Sequence, residues 1–162
     1  LFTMTHSDTQ HPALPDTAAD LPYRARVMDR SALAPAVWQL RLELPRTLSA
    51  AVTPWHFTAG QYVTVGLPDH AAAPLRPYSI ASGATRSYLD LHIRDPGHGL
   101  SNALATGIDI GRDIALGPAA GAAIPMQAHD RPLLLLAGGV GIAPMVSILD
   151  DRTTGSAPCH LY

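Results

Sequence analysis

An arginine, an aromatic ring and a hydroxyl stand together in Arg76-Pro77-Tyr78-Ser79. A guanidinium grips a phosphate bidentately, and each such charge-assisted hydrogen bond contributes roughly 1.5–3 kcal/mol. On a strand, Tyr78 shares a face with Arg76 and can lie flat on a planar heterocycle. Ser79 carries a hydroxyl able to donate to a ring nitrogen that takes up hydride. Strict alternation points Ser79 away from Tyr78, so its backbone or a local twist has to bring it in. Taken alone, these four residues are more simply an ordinary barrel strand with a surface arginine.

Two glycine-rich segments follow. In Ile93-Arg94-Asp95-Pro96-Gly97-His98-Gly99-Leu100-Ser101 the glycines let backbone approach a ligand, and the next helix offers unpaired N–H groups. A pyrophosphate there gains up to ~2 kcal/mol from the helix terminus, plus a hydrogen bond from Ser101. A capped helix without a ligand is the equal alternative. Gly138-Gly139-Val140-Gly141-Ile142-Ala143-Pro144 links an apolar run to a helix, the usual geometry for a second phosphate-bearing cofactor. It is not a full GxGxxG, because Pro144 stands where the last glycine would be; a plain tight turn is the alternative. Order and separation of these segments point to a flavin and a nicotinamide nucleotide used together.

The elements that position them differ along the chain. Residues 1–20 read as a loose polar tail without a signal-peptide pattern. From Leu21 the pattern is mostly period two, as in Trp38 to Leu44 and Tyr88 to Arg94. Tyr23–Arg30, Gln61–Leu67, Arg76–Ser82 and Arg112–Gly117 are further strand candidates. These predict an antiparallel six-stranded Greek-key barrel over 21–128, interrupted by a helix at Leu100–Ala105 with Ser101 or Asn102 as N-cap. At 129–162 the pattern becomes strand, helix, strand. Pro132–Ala137 reads as a strand buried on both faces, Ala143–Asp150 as a helix, Asp151–Ser156 as a polar break and Pro158–Tyr162 as a second strand. Two strands and one helix make no stable parallel sheet, so the expectation is an incomplete α/β nucleotide-binding domain. The alternative is a C-terminal extension packed on the barrel.

Composition narrows the function. Apolar residues make up 47% and charged residues 15% of the 162, as in a globular protein. A net charge of −2 gives no footprint for nucleic acid or anionic lipid. All 11 basic residues are arginine, which excludes Schiff-base and Walker-type lysine chemistry. The single cysteine, Cys159, can neither form an internal disulfide nor hold an iron–sulfur cluster. The eight histidines show no metal-ligand spacing, so no metal is expected; His98, inside the second segment, is the one placed to touch a ligand. The longest apolar stretch, Pro132 to Leu149, is broken by glycines and prolines, so no membrane span and a cytoplasmic location are expected. No Gly-x-Ser-x-Gly elbow supports hydrolase chemistry.

The ordered set Arg76 to Ser82, Gly97 to Ser101 and Gly138 to Pro144, with Phe57-Thr58-Ala59-Gly60-Gln61-Tyr62-Val63, resembles the ferredoxin–NADP reductase superfamily. More narrowly it is similar to NAD(P)H-dependent reductases that feed oxygenases, and to flavin reductases. The resemblance implies a flavin-binding barrel followed by a nicotinamide-nucleotide domain. It implies that Arg76 and Pro77 lie at the flavin phosphate, that Tyr78 stacks on the isoalloxazine, and that Ser79 sits near the hydride-accepting nitrogen. The backbone of His92, Ile93 and Arg94 would run beside the cofactor. Gly99, Leu100 and Ser101 would hold its pyrophosphate, and Gly138, Gly139, Gly141, Ile142 and Pro144 the phosphates of NAD(P)H. FAD is favoured over FMN, since FMN has no pyrophosphate. The family's Gly-Pro-aromatic-Gly turn is altered: Gly117-Pro118 is followed by Ala119-Ala120-Gly121.

Three functions stay open on this reading. One is an enzyme passing electrons from NAD(P)H through FAD to an iron–sulfur or haem partner, such as a ferredoxin or oxygenase component, or to free flavin. Another is a flavin-holding subunit without turnover of its own. The third is a barrel interaction module without flavin. For the chain by itself the expectation is flavin binding with weak nicotinamide-dependent turnover.

Overall fold

Alternation of apolar and polar side chains builds the main sheet. In β6 (Tyr88–Arg94) Leu89, Leu91 and Ile93 are fully buried, while Tyr88, His92 and Arg94 take the outer face. The strand paired with it, β2 (Val37–Glu43), buries Leu40 and Leu42 in the same way. Each such leucine or isoleucine contributes about 1.5–3 kcal/mol of apolar burial. The computed structural model describes residues 16–69, 74–122, 132–152 and 157–162. Most of the tail read over 1–20, the boundary between 128 and 129, and most of the polar break at 151–156 lie outside the described residues.

The remaining strands are β1 (Tyr23–Ala34), β3 (Arg46–Thr47), β4 (Tyr62–Gly66), β5 (Arg76–Ser79) and β7 (Asp113–Ala120). Their order across the sheet is β5-β4-β7-β1-β2-β6, with β3 beside β1 and every pair antiparallel. Late strands interleave with early ones, as in a Greek key. The two outermost strands meet only at an Ile80–Leu91 bridge, reinforced by Ala81 N–H donating to Asp90 O at 2.8 Å. The barrel is thus joined at one point, and the strands are not laddered beyond it. Leu100, Leu104 and Ile108, from the segment between β6 and β7, complete a single core cluster with the strand residues.

One buried charge sits on the outer face. Asp90 is 6% exposed and receives two hydrogen bonds of 2.8 Å from Arg41 Nε and Nη2 on β2, while Arg41 also lies 3.9 Å from the Tyr88 ring centroid. The bidentate pair pins β2 to β6 where Asp90 would otherwise be costly to bury.

A smaller unit follows: β8 (Leu133–Leu135), a Gly139–Gly141 3₁₀ turn, a helix at Ile142–Asp150 and β9 (Cys159–Leu161). β8 and β9 pair in parallel. Leu135 and Ile148 form their own cluster with Ala59 of the barrel. Leu134 and Leu136 are 59% and 67% exposed, which corrects the expectation of a strand buried on both faces. With one described neighbour strand and one helix, β8 has cover on a single face.

Other expectations shift at their edges. β1 runs on to Ala34, and β7 to Ala120 through an irregularity against β4. β5 stops at Ser79 because Ile80 already turns to bridge β6. The two-residue β3 carries too little pattern to be read from sequence. The altered Gly-Pro turn is filled from elsewhere: Trp55 Nε1 donates to Gly117 O at 3.2 Å, and the Tyr62 ring lies where a side chain at Gly121 would go.

Candidate functional site

The site is the open seam beside the single β5–β6 bridge. Ile80 N–H donates to Gln61 O on the β4 side at 3.0 Å, whereas Ala81 N–H donates to Asp90 O on the β6 side. Backbone direction alternates along a strand, so the Ser79 N–H and C=O face the seam, as does Pro77. Pro77 has no N–H to leave unpaired there, which is why proline is tolerated on an edge. Across the gap the Asp90 N–H and C=O point toward β5, so those of His92 and Arg94 do too. The Ile80–Leu91 bridge joins these two rows through Ala81 and Asp90 on one side and Ser79 and His92 on the other; beyond it the rows face one another with no ladder among the described residues.

Tyr78 stands over this gap. It is opposite Val63 in the β4 register and packs on the core, and its hydroxyl bonds Ser101 Oγ at 2.8 Å. Burial pushes the phenol pKa up, opposed by the Ser101 hydrogen bond and the Arg76 charge. The structure thus brings together two residues drawn from separate sequence motifs. Ser79 is opposite Tyr62, on the other face from Tyr78, so its backbone is what it presents to the seam. Arg76 is exposed and makes no ion pair among the described residues.

The loop after β6 is locked from within. Asp95 Oδ1 accepts from Gly97 N–H at 2.7 Å and from Asn102 Nδ2 at 3.1 Å. Gly97 and Gly99 adopt φ of 81° and 69°, and a side chain at either would point into open space. Glycine is favoured there by backbone conformation, and the space beside both residues is open. A short helix, α1 (Gly99–Asn102), continues as a π turn at Ala103–Gly107. Its N-cap is His98, with no side-chain cap bond, so Ser101 and Asn102 are not caps: Ser101 holds Tyr78, and Asn102 holds Asp95. The Leu100 side chain is in the core, which leaves its backbone to a ligand, whereas Ile93 buries its side chain and directs its backbone to Trp38 on β2, away from the seam.

The glycine turn lies beside β6. Gly139 has φ of 55°, and added side chains at Gly138, Gly139 or Gly141 would meet nothing within 4 Å. Pro144 is the third residue of α2 (Ile142–Asp150), where its missing N–H has no intrahelical acceptor to lose. Between α2 and the barrel is a cleft of ≈ 350 Å³ lined by Gln39, Ser82, Tyr88, Asp90, His92 and Leu149. His92 Nδ1 is buried there without a hydrogen-bond partner, and burial holds the imidazole pKa below its ordinary value against the pull of Asp90.

The contacts that dock α2 on the barrel are not foreseen in the sequence. Ser147, Asp150 and Asp151 reach the barrel loop after Ile80. Their signal was a polar stripe at helical spacing on an otherwise apolar helix, read simply as a helix end. Among the described residues no cluster of His, Cys, Asp or Glu is placed to hold a metal, and no helix is long and apolar enough to cross a membrane.

No family model matches the chain. It is 32% identical over 112 residues to the ferredoxin–NAD(P)(+) reductase component of the naphthalene 1,2-dioxygenase/salicylate 5-hydroxylase systems of Ralstonia sp., covering 67% of this chain and 33% of that protein. It is 32% identical over 137 residues to terephthalate 1,2-dioxygenase reductase component 1 of Comamonas sp., covering 84% of this chain and 38% of that protein. The chain therefore spans little more than a third of these relatives' length. Phthalate dioxygenase reductase, a modular protein for electron transfer from pyridine nucleotides to [2Fe-2S], has the same fold: the TM-score is 0.68 at 22% identity, over 86% of this chain and 43% of that one. In sequence the chain is similar to reductase components of dioxygenase systems, and in fold to phthalate dioxygenase reductase, consistent with the ferredoxin–NADP reductase superfamily.

Proposed function

We propose that this chain holds FAD along the β5–β6 seam and offers the Gly138–Gly141 turn to the phosphates of NADH or NADPH, as part of a reductase. The observation that carries this is the pair of facing, unladdered backbone edges with Tyr78 fixed over them by Ser101. A planar ring with hydrogen-bonding edges fits such a seam; a bare barrel module would gain by laddering it shut. The glycines with open space at 97, 99, 138, 139 and 141 fit two phosphate-bearing groups.

FAD, when bound, supplies the exchange between hydride and single electrons. The chain supplies binding and orientation. Arg76, next to Pro77, takes flavin phosphate, and Tyr78 offers its ring face. Ser79 and the backbone of His92 and Arg94 line the ring's polar edge, and Ile93, buried between them, holds that stretch of β6 in place. Gly99, Leu100 and Ser101 take the pyrophosphate, which favours FAD over FMN. Gly138, Gly139, Gly141, Ile142 and Pro144 form the nucleotide-phosphate turn. The acceptor is a ferredoxin or oxygenase component, or free flavin, in keeping with the dioxygenase systems named for the relatives. These roles divide the chain as read from sequence: tail 1–20, flavin barrel 21–128 and nucleotide unit 129–162, with a cytoplasmic location.

The visible spectrum of the purified chain, with the released flavin weighed by mass, tests this directly. Bound FAD is expected, and Arg76→Ala is expected to lower FAD affinity by about tenfold to a hundredfold with the barrel still folded. A folded, colourless chain that takes up neither FAD nor FMN would sink the proposal. Unchanged affinity in Arg76→Ala would remove that residue from the phosphate site.

A further inference from the structure

We infer that Asp150, with Ser147 and Arg86, is a positioning clasp that sets the nucleotide-phosphate turn against the flavin seam. Its consequence for hydride transfer rests on the function proposed above; its geometry does not. The loop it grips begins directly after the Ile80–Leu91 bridge, so the clasp holds the same chain segment that closes the barrel. Ser147, fully buried, donates from Oγ to Ser82 O at 2.7 Å. Asp150 Oδ2 accepts from Gly83 N–H at 2.8 Å and from Arg86 Nε at 2.8 Å, and Arg86 Nη2 closes a bidentate pair on Oδ1. Asp151 Oδ1 accepts from Ala84 N–H at 2.6 Å.

Three consecutive residues of the loop are thus held by their backbone from one helix face. The fit is close. A side chain at Gly83 would place its Cβ 2.5 Å from Asp151 Oδ1 and 3.1 Å from the Asp150 carbonyl carbon. Nothing else about Gly83 demands glycine, since its φ is not in the left-handed range. The glycine turn caps the other end of the same nine-residue helix, about 14 Å of rigid rod away. A rod clamped at its C-terminal end transmits that register to the phosphate turn at its start. Register matters because transfer between two bound cofactors needs reacting atoms at about 3–3.5 Å, and a displacement of about 1 Å can cost a hundredfold.

The Arg86 side chain is 48% exposed, so its ion pair is discounted, whereas Asp150 is 21% exposed and also serves a backbone N–H. Asp150 is the hub. Removing it is expected to loosen the helix more than removing Arg86.

The test measures the distance between spin labels in the Cys159→Ser chain carrying Met28→Cys on β1 and His160→Cys on β9. The parent is expected to give one narrow distribution. Asp150→Ala and Gly83→Ala are expected to broaden it, Asp150→Asn to broaden it less, and Arg86→Lys to keep it narrower than Arg86→Ala. Hydrogen exchange at the amides of α2 should quicken by about tenfold or more in Asp150→Ala. Exchange in β2 and β6 should stay as in the parent, which separates positioning from general destabilisation. A distribution as narrow as the parent's in both Asp150→Ala and Gly83→Ala would overturn the clasp. Should Asp150→Ala fail to fold, Gly83→Ala and Arg86→Ala carry the same comparison. A parent that binds no flavin would overturn the function and leave the distance result standing.

Discussion

At the scale of single residues, the arrangement turns on groups whose partners come from distant parts of the chain. Tyr78 and Ser101 meet at 2.8 Å although neither motif refers to the other. His92 shows the converse, a ring nitrogen buried without a partner. Unfolded, its imidazole takes up a proton near pH 6.5. Folded, lost hydration holds that uptake to lower pH, with the Asp90 charge opposing the shift. Folding therefore excludes a proton between the two values. The stability tied to His92 is whole above about pH 6.5 and declines as pH falls toward the folded value. Urea midpoints measured from pH 7.5 to pH 5 should fall more steeply in the parent than in His92→Gln. Parallel slopes would show that burial of His92 does not govern its titration.

At the scale of elements, the loop between β6 and α1 is where backbone conformation and ligand geometry coincide. Gly99 holds φ of 69° with open space around its Cα. Alanine in that conformation costs roughly 1–2 kcal/mol. Gly107, at the end of the π turn, also faces open space but has no left-handed φ. Gly99→Ala should therefore lower the melting temperature and weaken FAD binding by about tenfold, because relaxing the strain moves the loop off its position. Gly107→Ala should change FAD binding little. Isothermal titration of the two variants makes the comparison; equal affinities would mean that the loop does not contact the cofactor.

At the scale of the whole molecule, two cores of unequal size share one interface. The barrel cluster draws on nearly every strand, whereas the second unit has Leu135 and Ile148 with Ala59 and a few half-buried neighbours. Local opening follows local contact density. Native-state hydrogen exchange should show the amides of β8 and β9 opening at lower denaturant than those of β2 and β6. A single common isotherm would instead make the two units one cooperative body.

Much of this was legible in the chain itself, for physical reasons. Period-two burial made β6 readable to its exact ends and β2 to within a residue, because one face of each had to be apolar. Arg76, Tyr78 and the glycines stood out by chemistry, since few other side chains grip phosphate, stack on a ring or adopt positive φ. The small β3 carried no pattern, and the exposed face of β8 was hidden by a uniformly leucine-rich run. Strand pairing was beyond reach as well: that β5 and β6 meet at one bridge and part again depends on the path of the whole sheet. The same holds for Ser101 on Tyr78, for Trp55 and Tyr62 filling the altered turn, and for Asp150 on Gly83. Local sequence determined which residues could bind and where strands and helices formed. Long-range packing, which joins residues far apart in the chain, decided which of them meet.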